Sequence, residues 1–357
     1  MKLGIVGLPS SGKTTVFNAL TGQNLPTGVP AAPGRSETHS AVADVPDGRL
    51  TPLTEMFHPR KTTAAKVTYA DIGGLQAKAG REGLPGALLN QLSQMDGLVH
   101  VVRAFDDPAV SHPLDTVDAR RDLTAMESEF LLNDLLTVER RRARLVEERQ
   151  KVMRDRAVVE REQALFDRLQ TILDRQEPLR AHPFPPEEDR LLSGFGLLTR
   201  IPMLVVVNVA EGAPLPPLGD VGPGVAVLGL QGRLEMEIAQ LPEDERRAYL
   251  AEYGIDAAGR ERVLQASYDL LGLHSFFTVG EDEVRAWTLR RGATALEAAD
   301  TIHSDLARGF IRAEVIPVPE LLSLGGLAAA RARGRLRLEG KDYVVSDGDV
   351  IHIKFNV

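Results

Sequence analysis

The sequence predicts an α/β protein with a mostly parallel sheet, interrupted by a helical insertion and followed by a small α+β unit. Three observations carry that prediction. Short apolar runs lie at residues 1–7, 66–75, 97–105 and 200–212, as strands buried on both faces would. Residues 114–177 contain no proline or glycine, and an apolar residue recurs every seven positions at 131, 138, 145, 152, 159, 166 and 173. From about residue 273 the chain changes to short alternating stretches with turns between them.

The chain has 357 residues, a formal net charge of −8, 43% apolar and 26% charged residues, which suggests two or three soluble globular domains. No apolar run reaches the ~18 residues of a membrane span, so no membrane partner is expected. The amino terminus has no small-residue cleavage site, so the expected location is cytoplasmic. There is no cysteine, which excludes disulfides, thiol nucleophiles and cysteine-bound metals. The acidic balance disfavours nucleic-acid binding by the whole surface, and no DNA partner is expected; local basic patches remain open.

The first element is the strand "KLGIVG", followed by Gly7-Leu-Pro-Ser-Ser-Gly12-Lys13-Thr14, which fits G-x-x-x-x-G-K-[ST]. The helix "KTTVFNALTG" comes next and ends at Gly22. In such a phosphate loop (P-loop), the backbone of Pro9, Ser10, Ser11, Gly12, Lys13, Thr14 and Thr15 curls its N–H groups around phosphates at a helix N-terminus. Lys13 bridges the outer phosphates, and the Thr14 hydroxyl ligates Mg²⁺. The second strand, "KVTYADIGGL", ends in a D-x-x-G pattern. Its Asp71 is placed to hold a metal-bound water and its Gly74 to offer an N–H to a γ-phosphate. Lys13, Asp71 and Gly74 are therefore the catalytic candidates.

The strand at 200–212 ends in Asn208-Val209-Ala210-Glu211 where guanine readers carry N-K-x-D. Valine replaces the lysine whose stem covers the base. Glutamate, one methylene longer, replaces the aspartate that pairs with the guanine edge. The strict guanine reader is lost; Asn208, Val209 and Glu211 are the base-loop candidates, and a strand-end loop without base contact is the alternative.

With "REGLPGALLNQL", "DGLVHVVRAFDD", "EVRAWTLRRGATALEAADTIHSDLARGFIRAEV" and the ending "GKDYVVSDGDVIHIKFNV" added, the chain resembles the Obg-like ATPase (YchF) family over nearly its full length. The resemblance implies a G-domain-like P-loop fold, ATP preferred over GTP, a coiled-coil insertion, a β-grasp-like TGS domain at the carboxy terminus, and association with the ribosome and its RNA. The chain departs from the family in three places, one of them the last base-binding loop, usually rich in small residues and glutamates, which here reads "LGLQGRLEMEIAQL". Ser10-Ser11 stands where the family P-loop has Asn-Val, and Arg35 falls where the first switch carries its threonine. Thr38 or Ser36 is the replacement candidate for the second metal ligand.

Many GTPases place glutamine directly after D-x-x-G to orient the attacking water; here Leu75 stands there. Slow intrinsic turnover, completed by a partner, is expected. Arg81 and Glu82 lie in the expected second switch, where an ordinary solvated loop is the alternative. In the helical stretch, Arg140, Arg141, Arg142 and Arg144 either touch ribosomal RNA or form a solvated, salt-bridged face. The basic run 327–341 poses the same choice. The expected boundaries are residues 1–122 and 196–272 for the nucleotide domain, 123–195 for the insertion and 273–357 for the TGS domain.

Overall fold

The computed structural model describes residues 1–28, 38–73, 84–151, 155–252 and 259–356. The expectations for Arg35, Ser36, Gly74, Leu75, Arg81 and Glu82 lie outside the described residues. The chain divides into two compact units, Met1–Ala41 with Thr68–Val263, and Val42–Val67 with Leu264–Val357. This division differs from the expected boundaries in two ways. The helical insertion falls in the same unit as the nucleotide-binding sheet, and residues 42–67 fall with the carboxy-terminal part.

In chain order the first elements are β1 (Lys2–Val6), α1 (Lys13–Thr21), β2 (His39–Asp44), α2 (Leu50–Phe57), β3 (Lys61–Thr63), β4 (Lys66–Asp71), α3 (Gly86–Leu92) and β5 (Gly97–Ala104). They continue with α4 (Ala119–Lys151), α5 (Arg156–Asp174), β6 (Met203–Val209) and β7 (Ala226–Leu230). The first sheet has the order β2-β4-β1-β5-β6-β7. The pairs β1–β4, β1–β5, β5–β6 and β6–β7 are all parallel. Leu3, Ile5, Val6, Val205, Val206 and Val207 are completely buried, which explains unbroken apolar runs where a one-faced strand would alternate. Parallel strands place their carboxyl ends on one edge, and that edge receives the loops after β1, β4, β5 and β6.

The insertion is an antiparallel pair, α4 and α5. The seven-residue repeat forms its seam: Val138, Leu145, Val159, Phe166 and Leu173 are buried in one cluster. Arg141–Glu162 and Arg142–Asp167 bridge the two helices. No glycine or proline marks the turn; instead the Asp155 carboxylate accepts from Ala157 N at 2.8 Å and starts α5. At the base of the arm, the fully buried Asp134 accepts hydrogen bonds from Leu198 N, Thr199 N and Thr199 Oγ1 at 2.7–2.8 Å.

The second unit holds β8 (Leu273–Thr278), β9 (Glu283–Arg290), β10 (Phe310–Pro317), β11 (Arg337–Glu339) and β12 (Asp349–Phe355) in a sheet ordered β11-β10-β12-β8-β9-β3. β12 and β8 run parallel at its centre, flanked by the antiparallel pairs β10–β12 and β8–β9, and the helix Ala295–Ile302 covers one face. This is the β-grasp-like α+β arrangement. Thr294 and Glu297 close a capping box at the start of that helix. Residues 42–67 join through β3, which pairs in parallel with β9. Arg49 adds bonds to Asp47 and Asp347 and lies 5.0 Å over the Phe277 ring.

Candidate nucleotide-binding site

The loop between β1 and α1 is shaped by close approach. A Cβ on Gly7, where φ is 152°, would sit 2.3 Å from the Val101 carbonyl oxygen of β5. A Cβ on Gly12, where φ is 88°, would sit 2.2 Å from Asn208 Nδ2. Glycine is therefore required at both ends of the loop. Between them Ser10 has a φ of 62°, a left-handed conformation in an exposed non-glycine residue, which costs on the order of 1 kcal/mol. Gly12 caps α1, and Val16 N donates to its carbonyl at 2.9 Å.

Lys13 lies back over the loop and donates from Nζ to the carbonyls of Gly7 at 3.0 Å and Leu8 at 2.8 Å. Burial pushes its pKa down to about 8, and the Asp71 carboxylate pulls it back up. Thr14 Oγ1 donates to Asp71 Oδ2 at 2.7 Å, so the loop and the end of β4 meet across 57 residues of sequence. Asp71 Oδ1 and Ser11 Oγ are buried without a hydrogen-bond partner among the described residues, and so is Thr38 Oγ1. Of these, Ser11 on the loop and Asp71 at the end of β4 border the same strand edge, and buried oxygens left without partners are costly unless a ligand satisfies them. His100, on β5 opposite Val6, is held neutral: burial, then Arg180 and Lys13, lower its pKa to about 3.

Asn208 is a clip. Its Nδ2 donates to Ser11 O at 3.2 Å, and its Oδ1 accepts from Gly232 N at 3.1 Å, tying the phosphate loop to the start of the helix Gly232–Ala239 that follows β7. Val209 is 7% exposed and packs into the sheet core, whereas Glu211 is exposed. A cavity of about 350 Å³ opens beside this loop, lined by Val209, Ala213, Leu215, Gln231, Leu234 and Glu235. Burial raises the Glu235 pKa against backbone N–H bonds from Arg260 and Gly259.

Two features were not read from the sequence. Arg103, 2% exposed on β5, donates to Phe105 O and Val110 O at 3.0 Å and to Ser10 O at 3.4 Å, bracing the loop tip. A lone arginine inside the apolar run "VHVVRAF" was the available signal. His112 and Asp122 form a buried pair at 2.7 Å in the segment after β5. Among the described residues no group of three or more acidic or histidine side chains could hold a metal by itself. No helix among them is long and apolar enough to cross a membrane.

Residues 2–133 match a family described as a 50S ribosome-binding GTPase. Residues 273–356 match the YchF GTPase carboxy-terminal family, described as a protein of unknown function. The chain is 40% identical to the ribosome-binding ATPase YchF of Bacillus subtilis over 99% of each chain. It is 36% identical to that of Pasteurella multocida over 100% of this chain and 99% of the other. The solved structure of the Schizosaccharomyces pombe YchF GTPase superposes with a TM-score of 0.84 at 30% identity, covering 99% of this chain and 97% of the other. The likeness spans both units and the arm, and the chain belongs to the YchF family.

Proposed function

We propose that the protein hydrolyses ATP to ADP and phosphate, slowly by itself, and that nucleotide state governs its association with the ribosome. The observation that carries the reading is the meeting of Lys13, Thr14 and Asp71 at one sheet edge, with an unpartnered carboxylate oxygen left over. Relatives named as ribosome-binding ATPases support the ribosome and the choice of ATP.

The loop N–H groups from Pro9 to Thr15 wrap the β- and γ-phosphates, and the positive end of α1 adds to the field. Lys13 leaves the Gly7 and Leu8 carbonyls for the outer phosphates. With a pKa near 8 it is mostly protonated at neutral pH, and phosphate charge raises that pKa further. Thr14 and Asp71 fit Mg²⁺: a hydroxyl and a carboxylate are already paired, and Asp71 Oδ1 is free to accept a metal-bound water. Thr38, with its orphaned hydroxyl, is the further ligand. When bound, the ion neutralises charge that develops on the phosphates. Gly74 supplies an N–H to the γ-phosphate. Leu75 orients no water, so a partner completes the site and turnover without it is low. Asn208 holds the phosphate loop in register with the start of the helix after β7. The cavity beside Val209 and Gln231 seats the base, and the longer Glu211 side chain cannot set its carboxylate where a guanine-reading aspartate would.

Calorimetric titration of ATP and GTP with Mg²⁺ tests the base assignment: ATP binds more tightly, and equal or tighter GTP binding would overturn it. Lys13→Ala weakens ATP binding by about a hundredfold, since charge-assisted bonds to phosphate are lost. Multiple-turnover phosphate release, with and without ribosomes, tests the enzyme. A chain that binds ATP but releases no phosphate in either condition is a clamp, not a hydrolase.

A further inference from the structure

We propose that Arg103 is a positioning residue for the polyphosphate: without touching the nucleotide, its buried charge fixes the tip of the phosphate loop so that the loop's donors face the anion. This deepens the nucleotide-binding reading above and rests on it. The side chain is 2% exposed on β5, the strand beside β1, and among the described residues no carboxylate forms an ion pair with it. A guanidinium buried without a counter-charge is costly, and an arriving phosphate tail supplies the missing charge nearby.

The partners of Arg103 are main-chain carbonyls, one for each guanidinium nitrogen. Nε donates to Phe105 O and Nη2 to Val110 O, both at 3.0 Å, and Nη1 donates to Ser10 O at 3.4 Å. A turn at Asp107 presents the Val110 carbonyl: Ala109 N donates to Asp107 Oδ1 at 2.9 Å, and Val110 N donates to Asp107 O at 3.1 Å. The guanidinium carbon also lies 4.6 Å from the centre of the Phe105 ring. Its own segment therefore fixes the planar fork, and the remaining nitrogen is aimed at the loop.

The direction of that last bond matters. In a trans peptide the carbonyl and the N–H that follows it point in opposite directions. With Ser10 O turned to Arg103, Ser11 N–H turns into the loop and meets Leu8 O at 3.3 Å. Lys13 Nζ donates to the same oxygen at 2.8 Å. Two donors, an amide and an ammonium, thus converge on one carbonyl, and phosphate oxygens entering the loop take both over. Asn208 sets the next peptide plane in the same manner, holding Ser11 O at 3.2 Å and turning Gly12 N–H the other way. Ser10, at a φ of 62°, keeps a conformation that persists only where its surroundings enforce it, and Arg103 is one of those restraints. A methionine at position 103 would fill the space but orient no carbonyl.

The test uses the full chain. ATP with Mg²⁺ is titrated by calorimetry, and pyrophosphate and adenosine compete against a fluorescent ATP analogue. Arg103→Met binds ATP and pyrophosphate at least about tenfold more weakly than wild type, whereas adenosine, which carries no phosphate, stays within about twofold. If Arg103→Met does not fold, as read by its circular dichroism and melting temperature, Arg103→Lys is judged by the same pair of ligands. It keeps the charge and loses the fork, so pyrophosphate binds at least about threefold more weakly and adenosine is unchanged. Equal losses for all three ligands would make Arg103 a brace of the fold alone and overturn the proposal, as would unchanged affinities. The wild type separates this failure from the broader one. If it binds ATP and the variant binds ATP equally well, Arg103 is excluded and the nucleotide-binding reading stands. If wild type binds neither ATP nor pyrophosphate, that reading fails.

Discussion

The protein contains two arginine-rich stretches that look alike in composition and behave oppositely in space. In the arm, Arg141 has a side chain only 15% exposed, between Glu148 and the 5%-exposed Glu162. Arg142 reaches Asp167 on α5, and Arg140 bonds its own helix at Leu136 O. In the carboxy-terminal unit Glu314 and Asp349 are buried, and Arg331 and Arg337 lie outside over them. A basic residue buried between acids is a staple; one lying over a buried acid is a presented charge. Charge count does not separate the two cases, but the side on which the carboxylate lies does.

If that contrast holds, mutations in the arm cost stability and mutations in the basic face do not. The largest effect is expected at the root of the arm. Asp134→Ala leaves Leu198 N, Thr199 N and Thr199 Oγ1 without their acceptor in a buried site and costs about 3 kcal/mol, read by chemical denaturation. Asp134 also carries a pH signature. Burial raises its pKa from 3.8 to about 6 against the pull of the Thr199 and Leu198 bonds, so the folded state holds its proton where the unfolded chain has lost it. Its contribution to stability is greatest below about pH 4, falls as pH rises towards 6, and is flat above. Asp134→Asn removes that slope.

Next in size is Arg141→Ala, which takes a cation from Glu162 and Glu148 and costs about 2–3 kcal/mol. Replacing Arg141 and Glu162 together by Met and Leu recovers most of that loss, because a buried carboxylate deprived of its arginine is what destabilises. A double variant no more stable than Arg141→Ala would show that the pair is not a staple.

What was legible in the sequence follows the range of the interaction. The phosphate loop was legible because Gly7, Gly12, Lys13 and Thr14 must lie on one short piece of backbone to hold a phosphate. The arm was legible because helical packing writes a seven-residue period, and Val138, Leu145, Val159 and Phe166 keep it. The acceptor role of Asp134 was not legible, since its donors come 64 and 65 residues later. The placement of residues 42–67 was not legible either: β3 is three residues long and pairs with β9, more than 200 residues away. Val209 was read as one of three base-loop candidates. It is the last residue of a strand buried throughout, and it packs into the core and borders the cavity.

The smallest effects fall in the carboxy-terminal unit and sharpen the contrast from the other side. Thr294→Ala breaks the capping box, in which Thr294 N donates to Glu297 Oε2 at 2.7 Å, and costs about 1 kcal/mol. That loss marks what an internal polar contact contributes in this unit. Arg333→Ala, on the same unit but fully outward, changes the unfolding free energy by less than about 0.5 kcal/mol. Thermal melts of the two variants side by side make the comparison directly. A cost for Arg333→Ala equal to that of Thr294→Ala would mean that the outer arginines hold the fold as the arm's arginines do, and the distinction between staple and presented charge would fail at the residue where it is cleanest.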